Sequence, residues 1–285
     1  MAELEARGLR FHVQRLGAGP RTAVFVHGLV MDNLSSWFFT VANPVARVAE
    51  VLLYDLRGHG RSERPSTGYR VEDMVADLDA LLDAAGLAGR KVELVGNSFG
   101  GLLAIAYALA HPERVSGLAL VDANMSDEMW GPGVAEKFRA TGAERDQLIA
   151  RYAYQWAGRH SERKSTRLAK IAEELVYRTS LVDDLAASPP LTDDDLARIA
   201  CPVLALYGDR SELRDRAERL ERVLPQIDVR WFEGCTHLLL WEAADRVEAA
   251  LVQWMTRPAG EAAGGVSAPA GPAASSPDAP PASGD

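Results

Sequence analysis

Five short apolar runs, at residues 22–27, 50–54, 91–95, 117–121 and 203–207, are separated by stretches long enough for crossover helices but too long for hairpin turns. A weaker sixth run lies at 229–232. Strands that read as unbroken apolar runs are buried on both faces, and strands joined by helical crossovers pair in parallel. The intervening segments supply the helices. Residues 71–85 place Val71, Met74, Val75, Leu78, Leu81 and Leu82 on one helical face. Residues 101–110 are nearly all apolar, which predicts a buried helix that ends at His111-Pro112. Residues 238–255 predict a final amphipathic helix. The expected fold is α/β, a mostly parallel central sheet with helices on both faces.

The alternation breaks once. Residues 123–200 hold no strand pattern, only helical ones at 134–141, 144–158, 165–180 and 192–199. This stretch carries Trp130, Phe138, Tyr152, Tyr154, Trp156 and Tyr177, and reads as a helical cap inserted between two strands. Residues 1–122 and 201–257 then form the core. Beyond residue 257 the composition changes: Ala, Pro, Gly and Ser fill 24 of the last 28 positions. So little apolar surface cannot offset the entropy of ordering, and 258–285 is expected to be a disordered tail.

Charge and composition exclude several classes of function. Of 285 residues, 31 are Lys or Arg and 40 are Asp or Glu, a net charge of −9 with no basic cluster. That balance argues against a nucleic-acid or anionic-membrane surface. The amino-terminal residues lack the apolar stretch of a secretory signal, and no run of about 18 apolar residues exists to span a bilayer, so a cytoplasmic location is expected. Cys201 and Cys235 show no metal-ligand spacing and read as buried free thiols.

The chemistry concentrates at Gly96-Asn97-Ser98-Phe99-Gly100. A G-x-S-x-G string is common by chance, but here it follows a predicted strand and opens a predicted helix, the context in which a sharp turn lifts a serine hydroxyl clear of the sheet. Small neighbours suit the strained backbone of such a turn. A nucleophile there needs two amides aimed at the developing oxyanion. Phe99, directly after the serine, supplies one, and the turn after His27-Gly28 supplies the other, at Leu29 in preference to Val30. His27 itself reads as structural. Of the six histidines, only His237 lies both after the last strand and at the carboxyl edge of the sheet, where a base for Ser98 must sit. Asp32, Asn33 and Ser62 read as ordinary loop residues.

With His27-Gly28, Gly96–Gly100 and His237 in place, the chain resembles the α/β-hydrolase superfamily from about residue 9 to 257. Residues 54–62, Tyr-Asp-Leu-Arg-Gly-His-Gly-Arg-Ser, resemble that family's loop after its second long strand, and the insertion at 123–200 falls where the family carries its cap. Residues 95–101 and 234–237 are also similar to hydrolases that cleave carbon–carbon bonds in ring-opened dienoates. The departure is the acid. The family's usual aspartate lies three residues after a glycine that follows the seventh strand, and from Gly208 that position is Ser211. Asp122 at the end of the preceding strand, a place some family members use, is the first candidate; Asp209 and Glu212 flank the usual position.

The resemblance implies a serine hydrolase with Ser98, His237 and Asp122 as catalytic residues and the Leu29 and Phe99 amides as oxyanion hole. It acts on a small acyl substrate, largely apolar to judge from the aromatic cap, and uses neither metal nor cofactor. A carbon–carbon bond hydrolase or an acyltransferase on the same residues, and a binding protein with a relic triad, are the alternatives.

Overall fold

A computed structural model describes residues 2–140, 142–143, 147 and 162–258. Eight strands form one sheet in the order β1-β2-β4-β3-β5-β6-β7-β8. They are β1 (Ala2–Ala6), β2 (Leu9–Leu16), β3 (Thr22–Val26), β4 (Glu50–Tyr54), β5 (Val92–Asn97), β6 (Val115–Val121), β7 (Val203–Gly208) and β8 (Ile227–Phe232). From β3 onward every pairing is parallel, while β1 and β2 add an antiparallel edge. The six expected strands are all present, each within two residues of its expected ends.

The hairpin of β1 and β2 was not expected from the sequence. Its turn is Arg7-Gly8, both at positive φ (50° and 73°), the geometry that matches the right-handed twist of two paired strands.

Helices α1 (Ser35–Phe38), α2 (Ala42–Val45), α3 (Val71–Ala84), α4 (Phe99–Ala110) and α5 (Trp130–Arg139) follow in chain order. Then come α6 (Glu162–Arg178), α7 (Leu181–Ala186), α8 (Asp193–Ala197), α9 (Arg214–Val223), α10 (Leu239–Glu242) and α11 (Ala244–Thr256). The helix expected at 238–255 is therefore two, broken at Ala243. The helix expected at 144–158 and the tail expected at 258–285 lie outside the described residues, except residues 147 and 258. Among the described residues no helix is long and apolar enough to cross a membrane.

Strand alternation divides the core in two. Val24 and Val26 of β3 face one side with α3 and α4, while Ala23 and Phe25 face the other with Trp37, Val45 and Trp254. The chain steps from β3 to β4 on one side and returns to β5 on the other, so the loops after β3 and β5 diverge. In an open parallel sheet, the crevice at such a reversal is where ligands bind.

The opposite, amino edge of the sheet is closed by a buried carboxylate. Glu93, 1% exposed, accepts from Arg21, from the Trp254 indole at 3.0 Å and from Arg257 at 2.9 Å, and Arg21 also donates to the Arg257 carbonyl. Truncating it leaves two cations and an indole facing a cavity. Glu93→Ala is expected to destabilise the protein by about 2–4 kcal/mol, somewhat less than the roughly 3–5 kcal/mol of a fully buried broken pair because both arginines keep some solvent. Urea unfolding should show this as a lower midpoint at unchanged slope.

Candidate active site

β5 delivers Ser98 into the crevice. Its backbone sits at φ 53°, ψ −121°, a conformation that a non-glycine residue holds only under tight constraint. The constraint is visible in hydrogen bonds: Ser98 N–H donates to the Val121 carbonyl, and the Ser98 carbonyl accepts from Gly101 and Asn124. Gly100 has to be glycine here, since a Cβ would lie 2.1 Å from the Val26 carbonyl oxygen. Ser98 is thus fixed against the ends of both neighbouring strands, β3 and β6.

His237 Nε2 lies 3.0 Å from Ser98 Oγ, and His237 Nδ1 lies 2.5 Å from Asp122 Oδ2. Asp122 follows β6 directly, is fully buried and holds φ 44°. Its amide donates to Leu206, and its Oδ1 accepts from Gly208 N–H at 3.1 Å. The loop carrying His237 lies directly over the end of β7. A Cβ at Gly208 would meet the carbonyl oxygens of Cys235 and Thr236 within 2.6 Å.

Of the three candidate acids, only Asp122 bonds to His237. Glu212 is exposed on the loop after β7, and the half-buried Asp209 has an Oδ1 with no hydrogen-bond partner among the described residues. The loop containing Ser211 also reaches the Asp122 carboxylate. The Ser211 hydroxyl donates to Asp122 Oδ2 at 2.6 Å.

Burial opposes a charge on His237, but the hydrogen bond and negative charge of Asp122, helped by Glu212, hold its pKa above the ordinary 6.5. A base must be neutral to take a proton, so the rate of any reaction using His237 should fall on the acid side with an inflection above 6.5. In Asp122→Asn the same inflection should move downward, because burial is then opposed by little. A pH–rate profile of both proteins checks the sign.

The turn after β3 is not the ordinary loop expected at Asp32 and Asn33, because a buried polar network holds it. Asp32 accepts from Gly28 N–H at 2.7 Å and from Asn33 N–H at 2.8 Å, and Asn33 Oδ1 accepts from Ser35. Val30, at φ 64°, donates its amide to His59 Nε2 at 2.9 Å, which removes it as an oxyanion donor. The Leu29 and Phe99 amides, in contrast, meet no acceptor among the described residues. Beneath them, His27 Nε2 accepts from Leu56. Asp55 accepts from Leu34, Arg61 and His12, and Ser62 donates to the Asp55 carbonyl and accepts from His12 N–H.

Burial, with His27 nearby, drives His59 down to about 3, so it stays neutral and its Nε2 remains an acceptor for Val30. No local signal marks these partners, which come from separate loops. The one sequence hint is that buried polar groups need partners at all.

Above Ser98 opens a cavity of about 830 Å³. Val30, Phe99, Trp130, Val134, Phe138 and Val176 supply an apolar wall, and the Trp130 ring stacks over Phe99 with centroids 6.1 Å apart. Helices α5 and α6 form the side away from the sheet. Of the six aromatics expected there, Trp130 and Phe138 line the cavity, Tyr177 reaches it from α6, and Tyr152, Tyr154 and Trp156 lie outside the described residues. Cys235 is buried, but Cys201 is only half-buried; both are free. Among the described residues no cluster of side chains could hold a metal ion.

A family model described as alpha/beta hydrolase fold matches residues 23–244. A 2-hydroxy-6-oxononadienedioate/2-hydroxy-6-oxononatrienedioate hydrolase of Paraburkholderia phymatum is 30% identical over 265 residues, covering 87% of this chain and 91% of its own. The solved structure of a meta-cleavage product hydrolase from Pseudomonas fluorescens covers 89% of this chain and 97% of that chain at TM-score 0.69 and 21% identity. An esterase from Exiguobacterium antarcticum covers 90% and 99% at TM-score 0.71 and 20% identity. Likeness at such identities speaks to the shared fold.

Proposed function

The chain belongs to the alpha/beta hydrolase fold family, and from that membership we propose that it hydrolyses an acyl bond of a small, largely apolar molecule through an acyl-enzyme on Ser98. The observation that carries this reading is the unbroken relay from Ser98 Oγ to His237 to Asp122, at 3.0 Å and 2.5 Å.

In the first step His237 Nε2 takes the hydroxyl proton while Ser98 Oγ attacks the carbonyl carbon. The oxyanion is received by the Leu29 and Phe99 amides, and Asp122 stabilises the imidazolium. His237 returns the proton to the leaving group as the tetrahedral adduct collapses. A water then repeats the sequence: His237 takes its proton, the hydroxide attacks the acyl carbon, and Ser98 leaves with the proton restored.

A second reading is favoured by two of these relatives, named as a 2-hydroxy-6-oxononadienedioate/2-hydroxy-6-oxononatrienedioate hydrolase and a meta-cleavage product hydrolase. On the same residues, the bond broken would be carbon–carbon, and the leaving dienolate would take its proton on carbon. The cavity wall weighs against a dianionic substrate. Among its described residues Lys137, Arg210 and Arg216 face Asp32, Asp127, Glu173 and Glu212, so no net positive field awaits two carboxylates.

The experiment has two parts. A fluorophosphonate probe should label Ser98 in the wild-type protein and nothing in Ser98→Ala; absence of labelling would remove the serine mechanism and leave a binding protein. Comparison of kcat/KM across p-nitrophenyl esters, acyl thioesters and ring-opened dienoates then separates the two hydrolytic readings.

A further inference from the structure

Ser211 occupies the place after β7 where the resemblance leads one to look for an acid, yet its hydroxyl meets the acid that comes from β6. The two strands are parallel neighbours with Val121 opposite Leu206, so the residues just beyond their ends converge. Three hydrogen bonds then meet on one carboxylate: Gly208 N–H to Oδ1, and the Ser211 hydroxyl and His237 Nδ1 both to Oδ2. Ser211 is itself held, because its Oγ accepts from Leu213 N–H at 3.1 Å. It is buried, with 7% of its surface exposed, so water does not compete for the contact.

We propose that Ser211 is a positioning residue of the catalytic relay: it fixes the rotation of the Asp122 carboxylate and draws charge off the oxygen that faces His237. The inference rests on the hydrolytic reading above and assigns a role to a residue whose identity would otherwise mark a defect. Two consequences follow from the chemistry. Without the hydroxyl, the carboxylate is freer to rotate, which aims the ring less well at Ser98 Oγ and slows proton transfer. Its Oδ2 also keeps more negative charge, which favours the imidazolium and raises the pH at which His237 titrates.

The charged groups near His237 are Asp32 after β3, Asp127 after β6, Lys137 on α5, Glu173 on α6, Arg210 and Glu212 after β7, Arg216 on α9, and Glu242 on α10, which holds the neighbouring Thr236. All are unchanged by a substitution at 211, so a shift in the titration reports Ser211 alone.

The test needs no knowledge of the substrate. The second-order rate of Ser98 labelling by a fluorophosphonate is measured against pH for wild type, Ser211→Ala and Ser211→Thr, with melting temperatures alongside. Ser211→Ala should label about tenfold more slowly at neutral pH, a fraction of the roughly 10²–10⁴ that a general base contributes. Its acid inflection should lie roughly half a unit higher. Ser211→Thr, which keeps the hydroxyl, should restore both.

If Ser211→Ala loses melting temperature but keeps the wild-type inflection and rate, the residue is structural only and the proposal is overturned. If threonine fails to restore a fully folded protein's inflection, the hydroxyl is not the agent and the proposal is likewise overturned. Failure of the wild type itself to label at Ser98 would instead remove the hydrolytic reading, an outcome distinct from either.

Discussion

Ser98→Ala is expected to lower turnover by three or more orders of magnitude while leaving the melting temperature within about 2 °C of wild type. The first half follows from what the side chain alone supplies: among the described residues no other hydroxyl is hydrogen-bonded to His237, and the flanking Gly96 and Gly100 offer no substitute nucleophile. The second follows from the backbone. The φ of 53° is held by hydrogen bonds from and to Ser98 main-chain atoms, and alanine keeps all of them. Steady-state hydrolysis of an activated ester, corrected for folded fraction by circular dichroism, measures both. Hydrolysis persisting at the wild-type rate in the variant would place the chemistry elsewhere in the cavity.

Asp122→Asn is the second large effect, expected on the order of 10⁴ in turnover, the scale seen when a triad acid becomes an amide. Asparagine fits the space and tolerates positive φ, so the fold should survive. Its amide, however, cannot accept at one oxygen from both Ser211 and His237 Nδ1 without losing the Gly208 contact. A ring turned to accept instead at Nδ1 would carry its proton on Nε2, the nitrogen that must receive one from Ser98. Asp209→Asn and Glu212→Gln touch neither ring nitrogen and should stay within about fivefold of wild type. Should Asp209→Asn silence the enzyme while Asp122→Asn runs normally, the acid lies after β7 and the relay described above is not the one used.

How far this arrangement could be read in advance depended on distance along the chain. Ser98 carries its own context, since a strand, a glycine turn and an apolar helix follow each other within about twenty residues. His237 was legible by order and by scarcity of histidines. Asp122 could be singled out because a carboxylate at the end of a buried strand is rigidly held and matches the acid position of some members of the family the chain resembles. Nothing local tied it to Ser211, 89 positions away, whose role depends on β6 and β7 being neighbours.

The same limit hid the props of the turn after β3. His59 reaches Val30 across 29 positions, and Asp55 gathers donors from three separate segments. The hairpin of β1 and β2 escaped for a different reason. It is an edge in which Glu3, Glu5 and Arg10 point to water, so its apolar alternation is too thin to register, and Arg7-Gly8 lacks the Asn or Asp that usually marks such a turn. Helix α9 was missed likewise, with only Ala217 and Leu220 buried along ten residues.

The clamp on Glu93 has a practical consequence for anyone handling the protein. Arg257 is bonded at the amino edge of the sheet, beside the starts of β3, β5 and β6, whereas Ser98, Asp122 and His237 all lie beyond the carboxyl edge. A surface or matrix attached by a linker at the exposed Pro258, next to Arg257, would hold the molecule by the pole opposite its cavity, with the mouth turned outward to the passing solution. Attachment through Gly8, at the turn of an edge hairpin, would instead hold the sheet by its side. For an immobilised catalyst the first orientation is the one to build, and the two arginines that grip Glu93 are the residues to leave untouched while building it.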